Sequence, residues 1–217
     1  MKKKQKVTQN LETITNRIHS HLSTKDAARE HALHLSRQIV RHSANAIRAI
    51  HRQDRTRAER FLSAAQALLS ELDEDVLQKH NDFAHSGFVH DAQKEFTEAS
   101  ITLAIIASNS LPEPETLRVS YPAYLNGLGE AVGELRRYLL DSLRRNDLSR
   151  CEEMLTVMDD IYTTLVTMDF PEVITYGLRR TTDSVRGILE RTRGDLTLAL
   201  RQKELEEKLQ KIPRRTA

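Results

Sequence analysis

Four glutamates form the densest cluster of chemistry in this 217-residue chain. Glu95 and Glu98 stand three residues apart at the entrance of Asp91 to Ser108, DAQKEFTEASITLAIIAS, whose part from Ala99 to Ser108 carries no charge. Glu130 and Glu134 stand four apart in YLNGLGEAVGELRR. At about 100° per residue, spacings of three and four put the members of each pair on neighbouring parts of one helix surface. The Glu95 segment is apolar around most of its circumference, which marks a buried helix, and an unpaired carboxylate there is costly. Glu95 and Glu98 therefore need a counter-charge, from a lysine, an arginine or a bound divalent cation. Four carboxylates brought together make a hard oxygen site for Mg²⁺ or Mn²⁺, where a cation activates water and polarises a phosphate. Two plainer readings compete. Glu95 and Glu98 suit structural ion pairs, and Glu130 and Glu134 suit a solvated face, since Leu125, Leu128, Val132 and Leu135 lie roughly opposite them.

Other chemistries fit less well. A di-iron bundle needs Glu-x-x-His on two helices, but Glu98 and Ile101 occupy the positions three after Glu95 and Glu98. All-α nucleoside triphosphate pyrophosphohydrolases use Glu-x-x-Glu with a second acidic pair spaced by three, whereas the second pair here is spaced by four. They remain a competitor. His31 and His34 share a helical face, while His80, His85 and His90 are five apart and do not line up; neither set reads as a zinc site. No glycine-rich phosphate loop and no nucleophile elbow is present. Arg37, Arg41 and Arg48 project away from the apolar side of the helix over 25–53, as a solvated face or as phosphate contacts.

Composition sets the frame for these residues. Only 7 glycines and 5 prolines, with 5% aromatics, argue against strands and turns. A mean hydropathy of -0.54 still leaves enough apolar residues for a core at this length. Lys and Arg total 33 against 31 Asp and Glu, so any basic site must be local rather than a global field. The single Cys151 excludes an internal disulfide and fits a reducing, cytoplasmic setting. The basic start MKKKQKVTQN has no apolar run behind it, so no secretion signal is expected, and Ile101 to Ala107 is too short to span a bilayer.

The spacing predicts one all-α domain over 1–217, a bundle of about seven helices with frayed ends at 1–7 and 203–217. Leu11, Ile14, Ile18 and Leu22 mark the first helix, and Ser23 or Thr24 caps a second over 25–53. Asp54 caps a third over 55–79, and the Glu95 helix covers 82–109. Pro112, Pro114 and Pro122 make 110–122 a loop. The remaining helices span 121–145, 148–168 and 172–201, the last with a possible extension towards Pro213.

Three blocks of this chain resemble the translin family, and particularly its catalytic branch, translin-associated factor X. They are LHLSRQIVRHSANAIRAIHR (Leu33 to Arg52), QKEFTEA (Gln93 to Ala99) and YLNGLGEAVGELRRYLLDSLRRND (Tyr124 to Asp147), and the similarity covers about residues 25–200. The catalytic branch has two glutamates at the positions of Glu95 and Glu98, which translin itself, the RNA-binding partner, lacks. The third block matches further catalytic-branch acids at Glu130 and Glu134, with Glu130 where family members commonly have Asp. Where eukaryotic relatives carry a Lys-Arg pair in the first block, this chain has Ala44 and Asn45, leaving Arg37, Arg41 and Arg48 as weaker substitutes.

The resemblance implies a translin-like helical fold and a Mg²⁺- or Mn²⁺-dependent endoribonuclease acting on single-stranded or unwound RNA. Single-stranded DNA is a second candidate ligand. Glu95, Glu98, Glu130 and Glu134 are its expected catalytic and metal-binding residues, Glu134 either as a fourth ligand or as a base for water. Arg37, Arg41 and Arg48 are the expected nucleic-acid contacts. The expected assembly is a homo-octameric shell without membrane attachment. The main alternative is a non-catalytic RNA- or DNA-binding scaffold.

Overall fold

A computed structural model describes residues 8–210 as an all-α fold without strands among them. Its long helices are α1 (Leu11–His51), α2 (Arg55–Leu72), α3 (Gly87–Ile106), α5 (Tyr121–Arg144), α6 (Cys151–Val166) and α8 (Leu178–Gln210), with one-turn helices α4 (Pro114–Leu117) and α7 (Glu172–Thr175). None of them is long and apolar enough to cross a membrane.

The count of eight departs from seven for local reasons. The two expected N-terminal helices are one, because Ser23 and Thr24 do not cap anything. Thr24 Oγ1 donates to the Ser20 carbonyl 3.1 Å away, one turn back, and so satisfies itself inside a continuous helix. Asp54 does cap α2, accepting from the Arg57 N–H at 3.1 Å. Beyond Leu72, however, the chain widens into a π-type turn over Asp73–Leu77 and a 3₁₀ turn over Asn81–His85, so the third helix is shorter than its apolar pattern suggests and α3 starts five residues later than expected, at Gly87. Pro114 sits in the first turn of α4, where its missing N–H costs nothing. Tyr176 and Gly177, with φ of 52° and 81°, separate α7 from α8, which the apolar pattern runs together. Helix α8 continues to Gln210, so 203–210 are helical; residues 1–7 and 211–217 lie outside those described.

The two larger apolar cores share α3. Val89, Ala92 and Phe96 pack with Ala32, Leu35 and Ile39 of α1 and Ala65, Leu69 and Leu72 of α2. Farther along, Ile101 and Ile105 join Leu128, Val132, Leu135 and Leu139 of α5, Met154 and Met158 of α6, and Val185 and Leu189 of α8. A helix buried by a different partner on each side must be apolar nearly all round, which accounts for the uncharged run after Glu98.

Helix α5 fits between α3 and α8 because it is thin where they touch it. A Cβ on Gly127 would lie 2.7 Å from both the Lys94 carbonyl oxygen and Thr97 Cβ, and one on Gly129 would clash with Thr181 of α8. Gln93 fixes the start of α5, its Oε1 accepting from the Ser120 N–H at 3.1 Å and the Ser120 hydroxyl at 2.8 Å. These contacts set α3 and α5 in register one turn before Glu130.

Candidate metal centre

The close approach at Gly127 brings acids from two helices together. Glu95 and Glu98 of α3 and Glu130 of α5 each offer a carboxylate oxygen, and the three oxygens lie within 4.8 Å of one another. All three residues are part-buried, at the seam between the two cores. Glu134 is placed differently. Its Oε2 is hydrogen-bonded to Nε2 of His51, at the C-terminus of α1, and Arg137 Nη1 stands 3.8 Å from the same oxygen. The fourth acid therefore flanks the trio as a partner of His51.

The electrostatics follow from burial and crowding. Burial, reinforced by Glu95, Glu130 and Glu134, pushes the Glu98 carboxyl from 4.5 up to about 8, with Lys94 pulling weakly the other way. Burial also raises Glu95; Lys94 draws it down while Glu130 and Asp91 push it up. Lys94 Nζ donates to Glu130 Oε1 at 2.7 Å and lies 3.9 Å from Glu95 Oε1. Burial works against its ammonium, but the bond to Glu130 and the charges of Glu130, Glu95 and Asp91 outweigh that and hold it charged.

This donor set fits a small hard cation. Oxygens facing each other across Mg²⁺ stand about 4.2 Å apart, so carboxylates already within 4.8 Å need only small side-chain movements. Once Glu98 gives up its proton, the three carboxylates around one ammonium carry net negative charge that a divalent ion would neutralise. A second group, His31, Glu71 and Asp75, meets the same spacing, but all three are exposed.

The arginines form a separate surface. Arg37, Arg41 and Arg48 are exposed along one stripe of α1, well within one helical quadrant. Arg48 donates to Asn45 Oδ1 at 2.6 Å and, with Arg52 of the same stripe and Arg57 of α2, lines a small cleft beside Phe61. An adjoining cavity of about 590 Å³ adds His42, Thr56 and Arg60. Sequence reasoning missed Arg57 and Arg60 here, and Lys94, His51 and Arg137 at the acids. Lys94 stood next to Glu95 in plain view; His51 left no signal, because only the fold carries it to Glu134.

The same architecture occurs in solved structures. The chain is 33% identical to AfC3PO, covering 85% of this chain and 96% of that one, with a TM-score of 0.75. A second structure, of AfC3PO in complex with duplex RNA, matches at 32% identity over 85% and 95% of the two chains with a TM-score of 0.74. The chain belongs to the C3PO/translin family. Apo-NeC3PO shares the fold at 20% identity, covering 90% of this chain and all of that one, with a TM-score of 0.75. In sequence, an uncharacterized protein of Methanocaldococcus jannaschii is 33% identical over 202 residues, 91% of this chain and 87% of its own length. No protein-family model matches the chain.

Proposed function

We propose that this C3PO/translin-family chain is a divalent-metal-dependent endoribonuclease of the translin-associated factor X-like branch, cleaving single-stranded or unwound RNA inside a homo-octameric shell in the cytoplasm. The observation that carries the reading is the meeting of Glu95, Glu98 and Glu130 from two helices. These three would hold Mg²⁺ or Mn²⁺, which when bound supplies charge neutralisation at the phosphate and a more acidic water.

The remaining steps belong to this chain's own side chains. Glu134, held by His51 and Arg137, would serve either as a fourth ligand or as the base that accepts the proton of the attacking water. The part-buried seam limits bulk water around the acids, and the exposed arginine stripe of Arg37, Arg41 and Arg48 offers contacts for the RNA backbone. That AfC3PO has been captured with duplex RNA supports RNA as the ligand. Assembly is supported by apolar side chains that are at least half exposed among the described residues: Leu11, Ile18 and Leu22 at the start of α1, and Leu198, Leu205 and Leu209 near the end of α8.

One assay separates this reading from its rivals. The protein is incubated with single-stranded RNA, single-stranded DNA and nucleoside triphosphates, first with Mg²⁺ and then with EDTA. Cleavage of the RNA that stops in EDTA is expected. RNA binding without cleavage would leave a scaffold, and pyrophosphate release from a nucleotide would leave a pyrophosphohydrolase.

A further inference from the structure

Lys94 stands where a cation is wanted. It is the one basic side chain paired with any of Glu95, Glu98 and Glu130 among the described residues. Its backbone carbonyl is pressed against Gly127, so its side chain leaves α3 at the helix contact and crosses to Glu130 on the next turn of α5. Only 19% of that side chain is exposed, and its ammonium draws on the same carboxylates a divalent ion would use. Three carboxyl groups stand around this one ammonium, more oxygen donors than a single ion pair uses. The residue type matters too. A lysine ammonium is a compact point charge on a flexible four-carbon stem, able to change partners by rotation, whereas a guanidinium would bind two carboxylate oxygens in a fixed fork.

We propose that Lys94 is an exchangeable counter-ion: it pairs with Glu130 while the carboxylates hold no metal, and turns onto the phosphate of the bound nucleic acid when they do. The inference rests on the metal-site reading above and adds a coupling to it. Cation and polyanion then help each other in, because each removes a competitor of the other. No bond is made or broken, and the lysine stays charged throughout.

The test is Mn²⁺ binding, followed by the electron paramagnetic resonance of the free ion, with and without a single-stranded, ribose-methylated phosphorothioate oligonucleotide. In the wild-type protein the oligonucleotide should tighten Mn²⁺ binding. Lys94→Met should bind Mn²⁺ about tenfold more tightly without oligonucleotide, the size of effect expected from removing one nearby charge, and should lose the tightening. Lys94→Arg, which keeps the charge, should stay close to the wild type in Mn²⁺ affinity without oligonucleotide and serves as a variant whose folding is least disturbed. Equal Mn²⁺ affinity in the wild type and Lys94→Met, or tightening that survives in Lys94→Met, overturns the inference and leaves the metal site standing. Absence of Mn²⁺ binding in all three proteins overturns the metal reading and this inference with it.

Discussion

Glu98 of α3 and Glu130 of α5, 32 positions apart in the chain, present carboxylate oxygens within 4.8 Å of each other. Burial and that proximity together push the Glu98 carboxyl up to about 8, so the fold holds the two acids together at an electrostatic cost. The device that does so is the glycine contact one turn away.

Gly127 is accordingly the first position to test. In Gly127→Ala the new Cβ would meet backbone and a branched carbon at 2.7 Å, neither of which can rotate away, so α3 and α5 must separate. The expected cost is about 1–3 kcal/mol of stability, read by thermal or urea unfolding, with Mn²⁺ affinity falling as well. Gly133 on the same helix has nothing within 4 Å of an added Cβ, and Gly133→Ala should be neutral or slightly stabilising.

Acid–base behaviour gives a second prediction. The Glu98 carboxyl sits at about 8 in the folded chain against an ordinary 4.5. The folded state therefore keeps a proton that the unfolded state gives up as pH rises above 4.5. The stabilising preference for the protonated form is fully present below 4.5 and is lost as pH climbs through 8. Without metal, melting temperature should fall between those limits; Glu98→Gln, which is always neutral, should flatten the fall, and Mg²⁺ should restore stability at the alkaline end. A pH profile of melting that is the same for wild type and Glu98→Gln would refute it.

His51 offers a third. Its side chain is 5% exposed and bonded to Glu134 across α1 and α5. His51→Ala frees Glu134 to swing and should lower RNA cleavage by about tenfold or more through looser positioning, while Mn²⁺ affinity stays within a factor of about two because the carboxylate trio is intact. Unchanged cleavage would show that Glu134 needs no orientation from α1.

The helix pattern made α5 and α6 legible, since each has a stripe that only one register can bury, and α3 was legible from its long uncharged run after Glu98. Side-chain choices within a helix were not legible. Ser23 and Thr24 look like caps in one dimension, and only the bond from Thr24 back to Ser20 shows that they are interior. The π-type turn after Leu72 and the break at Tyr176 and Gly177 contain no proline to announce them. At the site, the grouping of three acids follows from helical periodicity plus one helix contact, whereas the pairs Lys94–Glu130 and His51–Glu134 join residues 36 and 83 positions apart and exist only in the folded chain.

The arginine stripe should act on RNA alone. Replacing Arg37, Arg41 and Arg48 by Gln should weaken RNA binding and reduce the slope of log affinity against log salt by about 0.7 for each phosphate of a single strand that is no longer neutralised. Mn²⁺ binding should not change, because these side chains are exposed on α1 and pair with none of the carboxylate trio. A salt slope equal to that of the wild type would move the RNA path elsewhere, with the cleft of Arg52 and Arg57 the next candidate.

The central claim is that carboxylates from α3 and α5 act together on a phosphodiester. Its most direct measurement is Mg²⁺-dependent cleavage of single-stranded RNA by Glu98→Ala and Glu130→Ala, each confirmed folded by circular dichroism, beside the wild-type protein with and without EDTA. The account predicts cleavage by the wild type that EDTA abolishes, and loss of at least about two orders of magnitude in either variant. Full Mg²⁺-dependent cleavage by either variant would contradict it.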